Sequence, residues 1–124
     1  MEPDPEALYL DIGCQIGRNT MRLAGAIGTR RLLGLECNVR TLCQAAQEGI
    51  EPIVGDANHP LPLQGESVDV VTATDIIEHL VDPQMLVSET YRVLRPGGYA
   101  MFATPNLASW HNIFALLIGL QPFA

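Results

Sequence analysis

No lysine occurs anywhere in the 124 residues. All seven basic residues are arginines, set against 14 acids, for a formal net charge of −7. Without lysine there is no Walker A phosphate clamp, no Schiff base and no pyridoxal anchor. So few bases, at a pI near 4.7, argue against nucleic acid as the main partner, because phosphate binding needs a basic face. Cysteine is scarce too: Cys14, Cys37 and Cys43 form no C-x-x-C pair, which gives no support for a zinc ribbon or a redox motif. Reduced thiols in a cytoplasmic protein are the expectation. Long apolar runs are missing, so no membrane span is expected. The start, Met1-Glu2-Pro3-Asp4-Pro5, lacks the basic and apolar parts of a signal peptide.

What is present suits one globular domain over residues 1–124. Hydrophobic residues make up 48% and charged residues 17%, enough for a buried core. Apolar runs at 8–12, 31–36, 52–56, 68–72 and 99–103 read as strands. Between them, Arg18 to Ile27 reads as a helix with Gly28 at its C-terminal cap, and Asn38 caps a second helix running to about Glu48. Asp82-Pro83 opens a third, whose polar stripe is expected at Gln84, Ser88, Arg92 and Arg95, with Val87, Tyr91 and Leu94 on its apolar side. Leu107 to Leu120 reads as a last helix, apolar nearly all round, through which the chain is expected to self-associate. Apolar strands alternating with helices indicate a doubly wound α/β fold with a mostly parallel sheet. Ligands of such folds sit at the carboxyl ends of the strands.

The residues that follow the strands carry the chemistry. Asp11-Ile-Gly13-Cys14-Gln-Ile-Gly17 is a glycine-bearing turn, but its glycines do not fit G-x-G-x-x-G, which argues against a nicotinamide enzyme. Its acid precedes the glycines, where it would oppose a pyrophosphate and suit a ligand with a cation and an ammonium group; S-adenosylmethionine has both. Glu36, 25 residues after Asp11, suits ribose hydroxyls. Asp56-Ala57 suits an adenine edge. Glu36 alone is more simply a strand end and Asp56 a turn residue; the set of three, with Asp11, is the argument.

Together these segments resemble class I S-adenosylmethionine-dependent methyltransferases, of the type 11 group that includes quinone-biosynthesis methyltransferases. Leu8-Tyr-Leu-Asp-Ile-Gly-Cys-Gln-Ile-Gly17 resembles the family's first motif, and Leu35-Glu36 its ribose-binding acid. Gly55-Asp56-Ala57 resembles its adenine contact. Ser67-Val-Asp69 through Glu78-His79-Leu80 resembles its fourth-strand motif, and Tyr91-Arg-Val-Leu-Arg-Pro-Gly-Gly98 its turn before strand five. The resemblance implies a Rossmann-like sheet in the order 3-2-1-4-5 and S-adenosyl-L-methionine as cofactor. It implies cofactor contacts at Asp11, Gly13, Cys14, Gly17, Glu36, Asp56, Ala57 and Thr74, and methyl transfer to a small-molecule acceptor. His79 is the candidate base, with a purely structural histidine as the alternative. Some relatives bind a divalent metal through E-x-x-E-H, but Asp75-Ile-Ile-Glu78-His79 matches only in part, and no metal is expected.

Two departures from the family pattern are expected to matter. Gln15 stands where the family has glycine, and its side chain is expected to crowd the methionine part of the cofactor. The family also continues into a final antiparallel hairpin, which this chain is expected to lack. A truncated cofactor-binding module without catalysis is therefore the alternative function.

Overall fold

In the computed structural model, residues 4–106, Phe114 and Leu117 are described. Five parallel strands form one sheet in the order β3-β2-β1-β4-β5. They are β1 (Leu8–Ile12), β2 (Arg31–Glu36), β3 (Glu51–Val54), β4 (Val68–Thr74) and β5 (Leu94–Ala103). Helices α1 (Arg18–Ile27) and α2 (Val39–Gln47) cross over between the first three strands, and α3 (Pro83–Val93) joins β4 to β5. This is the doubly wound fold expected from the sequence, in the strand order that the resemblance implies.

Local chemistry sets the helix ends. The Asn38 side chain accepts from the Arg40 amide, and Asp82 accepts from those of Gln84 and Met85. Such caps satisfy amides that have no partner within the helix. The Gly28 amide donates to Ala24 and closes α1. Two buried layers sandwich the sheet. Tyr9, Leu32 and Val70 pack with Ala24 of α1 and Leu42 and Ala45 of α2. Leu10, Ile12, Leu33, Leu35 and Val71 pack on the other face with Leu86 and Val93 of α3.

Two expectations need correction. The buried face of α3 is Leu86, Thr90 and Val93, while Val87 and Tyr91 are exposed. This helix carries apolar side chains on two sides, and the sheet selects the stripe that fills its second layer. The fifth strand also starts earlier than expected. Leu94 pairs with Val68, the chain loops out at Pro96-Gly97-Gly98, and pairing resumes at Tyr99 with Val70. The expected helix at 107–120 lies outside the described residues except for Phe114 and Leu117, which are helical and exposed.

Candidate functional site

A parallel sheet puts every carboxyl end on one edge, and the loops leaving that edge build two adjoining cavities. The first, of about 210 Å³, is lined by Asp11, Gln15, Thr74 and Asp75, with Arg18 and Asn19 from the start of α1. Cys14 also lines it. The second, of about 150 Å³, is lined by Glu36, Cys37, Asp56, Ala57, Ile76 and His79 among others. Gly13 lines both.

The turn between β1 and α1 is tied to the neighbouring strand, because the Gly13 and Cys14 amides both donate to the Leu35 carbonyl. Gly13, Gln15 and Gly17 all adopt left-handed backbone, at φ 78°, 49° and 83°. At Gly17 a Cβ would come 2.4 Å from Ile50 Cδ1, so glycine is required there for space as well as for conformation. Gln15 has no such excuse, and its left-handed backbone costs about 1–2 kcal/mol. Its amide donates to Glu36 Oε2 at 3.1 Å.

Asp11 is buried, 3% exposed. The Thr20 hydroxyl donates to its Oδ2 at 2.5 Å, and the Thr72 hydroxyl to its Oδ1 at 2.6 Å. With the Thr72 proton so used, the Tyr9 hydroxyl donates to Thr72 Oγ1 at 2.7 Å. Burial raises the Asp11 carboxyl above the ordinary carboxylate range, and the two hydroxyls only partly oppose this. Burial, with the Asp11 and Glu36 charges, likewise pushes the Cys14 thiol up to about 12, so it is no nucleophile at neutral pH.

Glu36 ends β2 and is 9% exposed. Its Oε1 accepts from the Asn38 amide at 2.9 Å and from the Cys37 thiol at 3.4 Å. Asp56 is exposed, and the Asn58 backbone and side-chain N–H groups hold it below the usual carboxylate range. Asn58 Oδ1 in turn accepts from the Val81 amide, linking this loop to the one after β4. The rest of the loop is clasped by α3. Arg92 donates to the Leu61 and Leu63 carbonyls and pairs with Glu89 at 2.7 Å, and Glu89 accepts from the Leu61 amide.

A family model described as a methyltransferase domain matches residues 10–102. The chain belongs to this methyltransferase domain family. It is 38% identical over 98 residues to a Mycolicibacterium smegmatis protein named as a probable S-adenosylmethionine-dependent methyltransferase, covering 78% of this chain and 37% of that one. It is 29% identical over 115 residues to the ubiquinone biosynthesis O-methyltransferase of Vibrio atlanticus, covering 87% and 47%. Among solved structures, a SAM-dependent methyltransferase from Thermotoga maritima superposes with a TM-score of 0.72 at 27% identity, covering 92% and 52%. The chain thus spans less than half the length of these two curated relatives.

Within this methyltransferase domain, Asp11, Gly13, Cys14 and Thr74 meet in the first cavity, and Glu36, Asp56 and Ala57 in the second. Gly17 lines neither of these two; it caps α1 and lets the turn pack on Ile50. His79, in a short 3-10 turn at Ile77–His79, joins Asp56 and Ala57 rather than Thr74. Among the described residues no group of three His, Cys, Asp or Glu side chains is placed to hold a metal ion. Sequence reasoning missed the hydroxyl partners of Asp11. Aligning β1 with β4 reveals one of them, since Asp11 stands in register with Thr72. It also missed the Glu89–Arg92 clasp, whose signal is the three-residue spacing of opposite charges on a helix.

Proposed function

We propose that this chain binds S-adenosyl-L-methionine across the two cavities and forms the cofactor-binding part of a cytoplasmic methyltransferase acting on a small molecule. The observation that carries the reading is the placing of Asp11, Glu36 and Asp56 at the carboxyl ends of successive strands, around cavities that adjoin at Gly13. The residues fit the cofactor. A Cβ at Gly13 would come 2.8 Å from Ile76 Cδ1 on left-handed backbone at φ 78°, so glycine keeps this junction clear without displacing Ile76. A buried carboxyl whose ionised form is disfavoured gains from a cation beside it, and Asp11 is such a group. Glu36 offers carboxylate oxygens to ribose hydroxyls, and Asp56 with Ala57 offers an edge to adenine.

When bound, the cofactor supplies an activated methyl group on a sulfonium. The chain's own residues bind, orient and exclude water. Asp11, Cys14 and Thr74 line the methionine end, and Gly17 sets the turn that carries it. His79 takes the proton where an acceptor has to lose one. Its place beside Asp56 and Ala57 makes contact with adenine the competing role. The variant His79→Gln separates them: a fall in turnover at unchanged cofactor affinity supports the base, and a fall in affinity supports the contact.

Calorimetry with S-adenosylhomocysteine tests the reading as a whole. One-to-one binding is expected, weakened about tenfold in Glu36→Gln through loss of a charge-assisted hydrogen bond. Tighter binding of NAD than of S-adenosylhomocysteine would overturn the reading.

A further inference from the structure

The turn between β1 and α1 holds three left-handed residues in alternation, Gly13, Gln15 and Gly17. Glycine is the residue that meets this backbone without strain, and both neighbours use it. Glutamine has no preference for it, unlike aspartate or asparagine, whose short side chains bond locally. Among the described residues only Gln15, Glu66 and Asp75 combine a side chain with positive φ, and two of the three line the same cavity. Strain of this kind collects where a side chain has work to do for a ligand. Gln15 is exposed, so core packing does not explain it. Its backbone is fixed from the second cavity, through the hydrogen bond from its amide to Glu36 Oε2.

The surroundings indicate what the side chain meets. Asp75 brings negative charge to this cavity and Arg18 brings positive charge, beside the buried Asp11 carboxyl. A lining of both signs suits a zwitterion. A carboxamide has an acceptor for an ammonium and donors for a carboxylate. We propose that Gln15 is a specificity-determining residue, whose carboxamide hydrogen-bonds the zwitterionic amino-acid end of the cofactor at the first cavity. This rests on the reading that the chain binds S-adenosylmethionine. The side chain then contributes to affinity rather than crowding the ligand, and the strain is kept for that gain.

The test uses the 124-residue chain with two probes, S-adenosylhomocysteine and 5′-methylthioadenosine, which lacks the amino-acid end. Gln15→Gly is expected to raise the melting temperature, because the strain is relieved, and to weaken S-adenosylhomocysteine about tenfold. Affinity for methylthioadenosine is expected to stay unchanged. Gln15→Ala keeps the strained backbone, so it is expected to show the same affinity loss without the gain in stability. Unchanged or tighter binding of S-adenosylhomocysteine to Gln15→Gly would overturn the proposal and support crowding. Equal loss of both ligands would overturn it in favour of a backbone effect through Glu36. Failure of the unaltered chain to bind either ligand would instead refute the functional reading beneath it.

Discussion

Replacing Arg92 with methionine tests the clasp that holds the loop between β3 and β4. Methionine keeps an apolar stem of similar reach but loses every hydrogen bond of the guanidinium. Those bonds run to the Leu61 carbonyl at 3.0 Å, to the Leu63 carbonyl at 2.9 Å and to both Glu89 carboxylate oxygens at 2.7 Å. A hydrogen bond to a charged group is worth about 1.5–3 kcal/mol when buried. The Arg92 side chain is 39% exposed and that of Glu89 16%, so water replaces part of what is lost. Discounted to about 1 kcal/mol for each carbonyl bond and about 1 for the ion pair, the loss is about 3 kcal/mol. For a domain with about 5–15 kcal/mol of total stability, that is a large fraction, and it lowers the melting temperature by about 10–15 °C. Urea unfolding at pH 7 measures it, and a double-mutant cycle with Glu89→Gln isolates the pair. The sign with pH follows from Glu89, whose carboxyl the Arg92 guanidinium holds below its ordinary range. A depressed carboxyl stabilises the fold above its unfolded pKa and ceases to do so as pH falls through the folded one. The gap between the two proteins therefore narrows below about pH 4. A loss under about 0.5 kcal/mol, or a gap that ignores acid, would refute the reasoning.

Asp11→Asn leaves Thr20 and Thr72 able to bond while removing a buried charge. A carboxyl with a raised pKa stabilises the fold only at low pH, so at pH 7 the melting temperature should hold or rise while S-adenosylmethionine binding weakens; equal losses of both in thermal melts with and without ligand would mark a structural Asp11. Gly17→Ala forces a Cβ to 2.4 Å from Ile50 Cδ1 at φ 83° and should cost about 2–4 kcal/mol in urea unfolding. Gly49→Ala, at φ 89° with nothing within 4 Å, should cost only about 1 kcal/mol, and equal costs would disprove the steric account. Asp82→Ala loses the cap of α3 and should cost about 1 kcal/mol by the same measurement, with no change expected in ligand affinity.

What the sequence reveals of this fold is what short-range chemistry controls. Asn38 and Asp82 announce helix starts because each caps amides two or three residues on, and the turn at Gly28 closes α1 within its own last turn. Non-local competition hides the rest. Along α3 either Val87 with Tyr91 or Leu86 with Val93 offers an apolar stripe; the choice belongs to the sheet, which also needs Glu89 and Arg92 beside the loop at 61–63. The early start of β5 depends on Val68, some 26 residues before Leu94. The site divides in the same way. Acids at strand ends are legible, because a parallel sheet brings all such ends to one edge whatever its register. Their partners are not. Asp11 is held by residues 9 and 61 positions away, and the latter follows only from the pairing of β1 with β4. Gln15 is the extreme case, since nothing in its side chain favours left-handed backbone. Its conformation comes from the turn between two left-handed glycines and from Glu36 accepting its amide across the strand boundary. The residue least readable from local preference is thus the one the fold itself holds in place, at the edge of the cavity where a ligand would meet it.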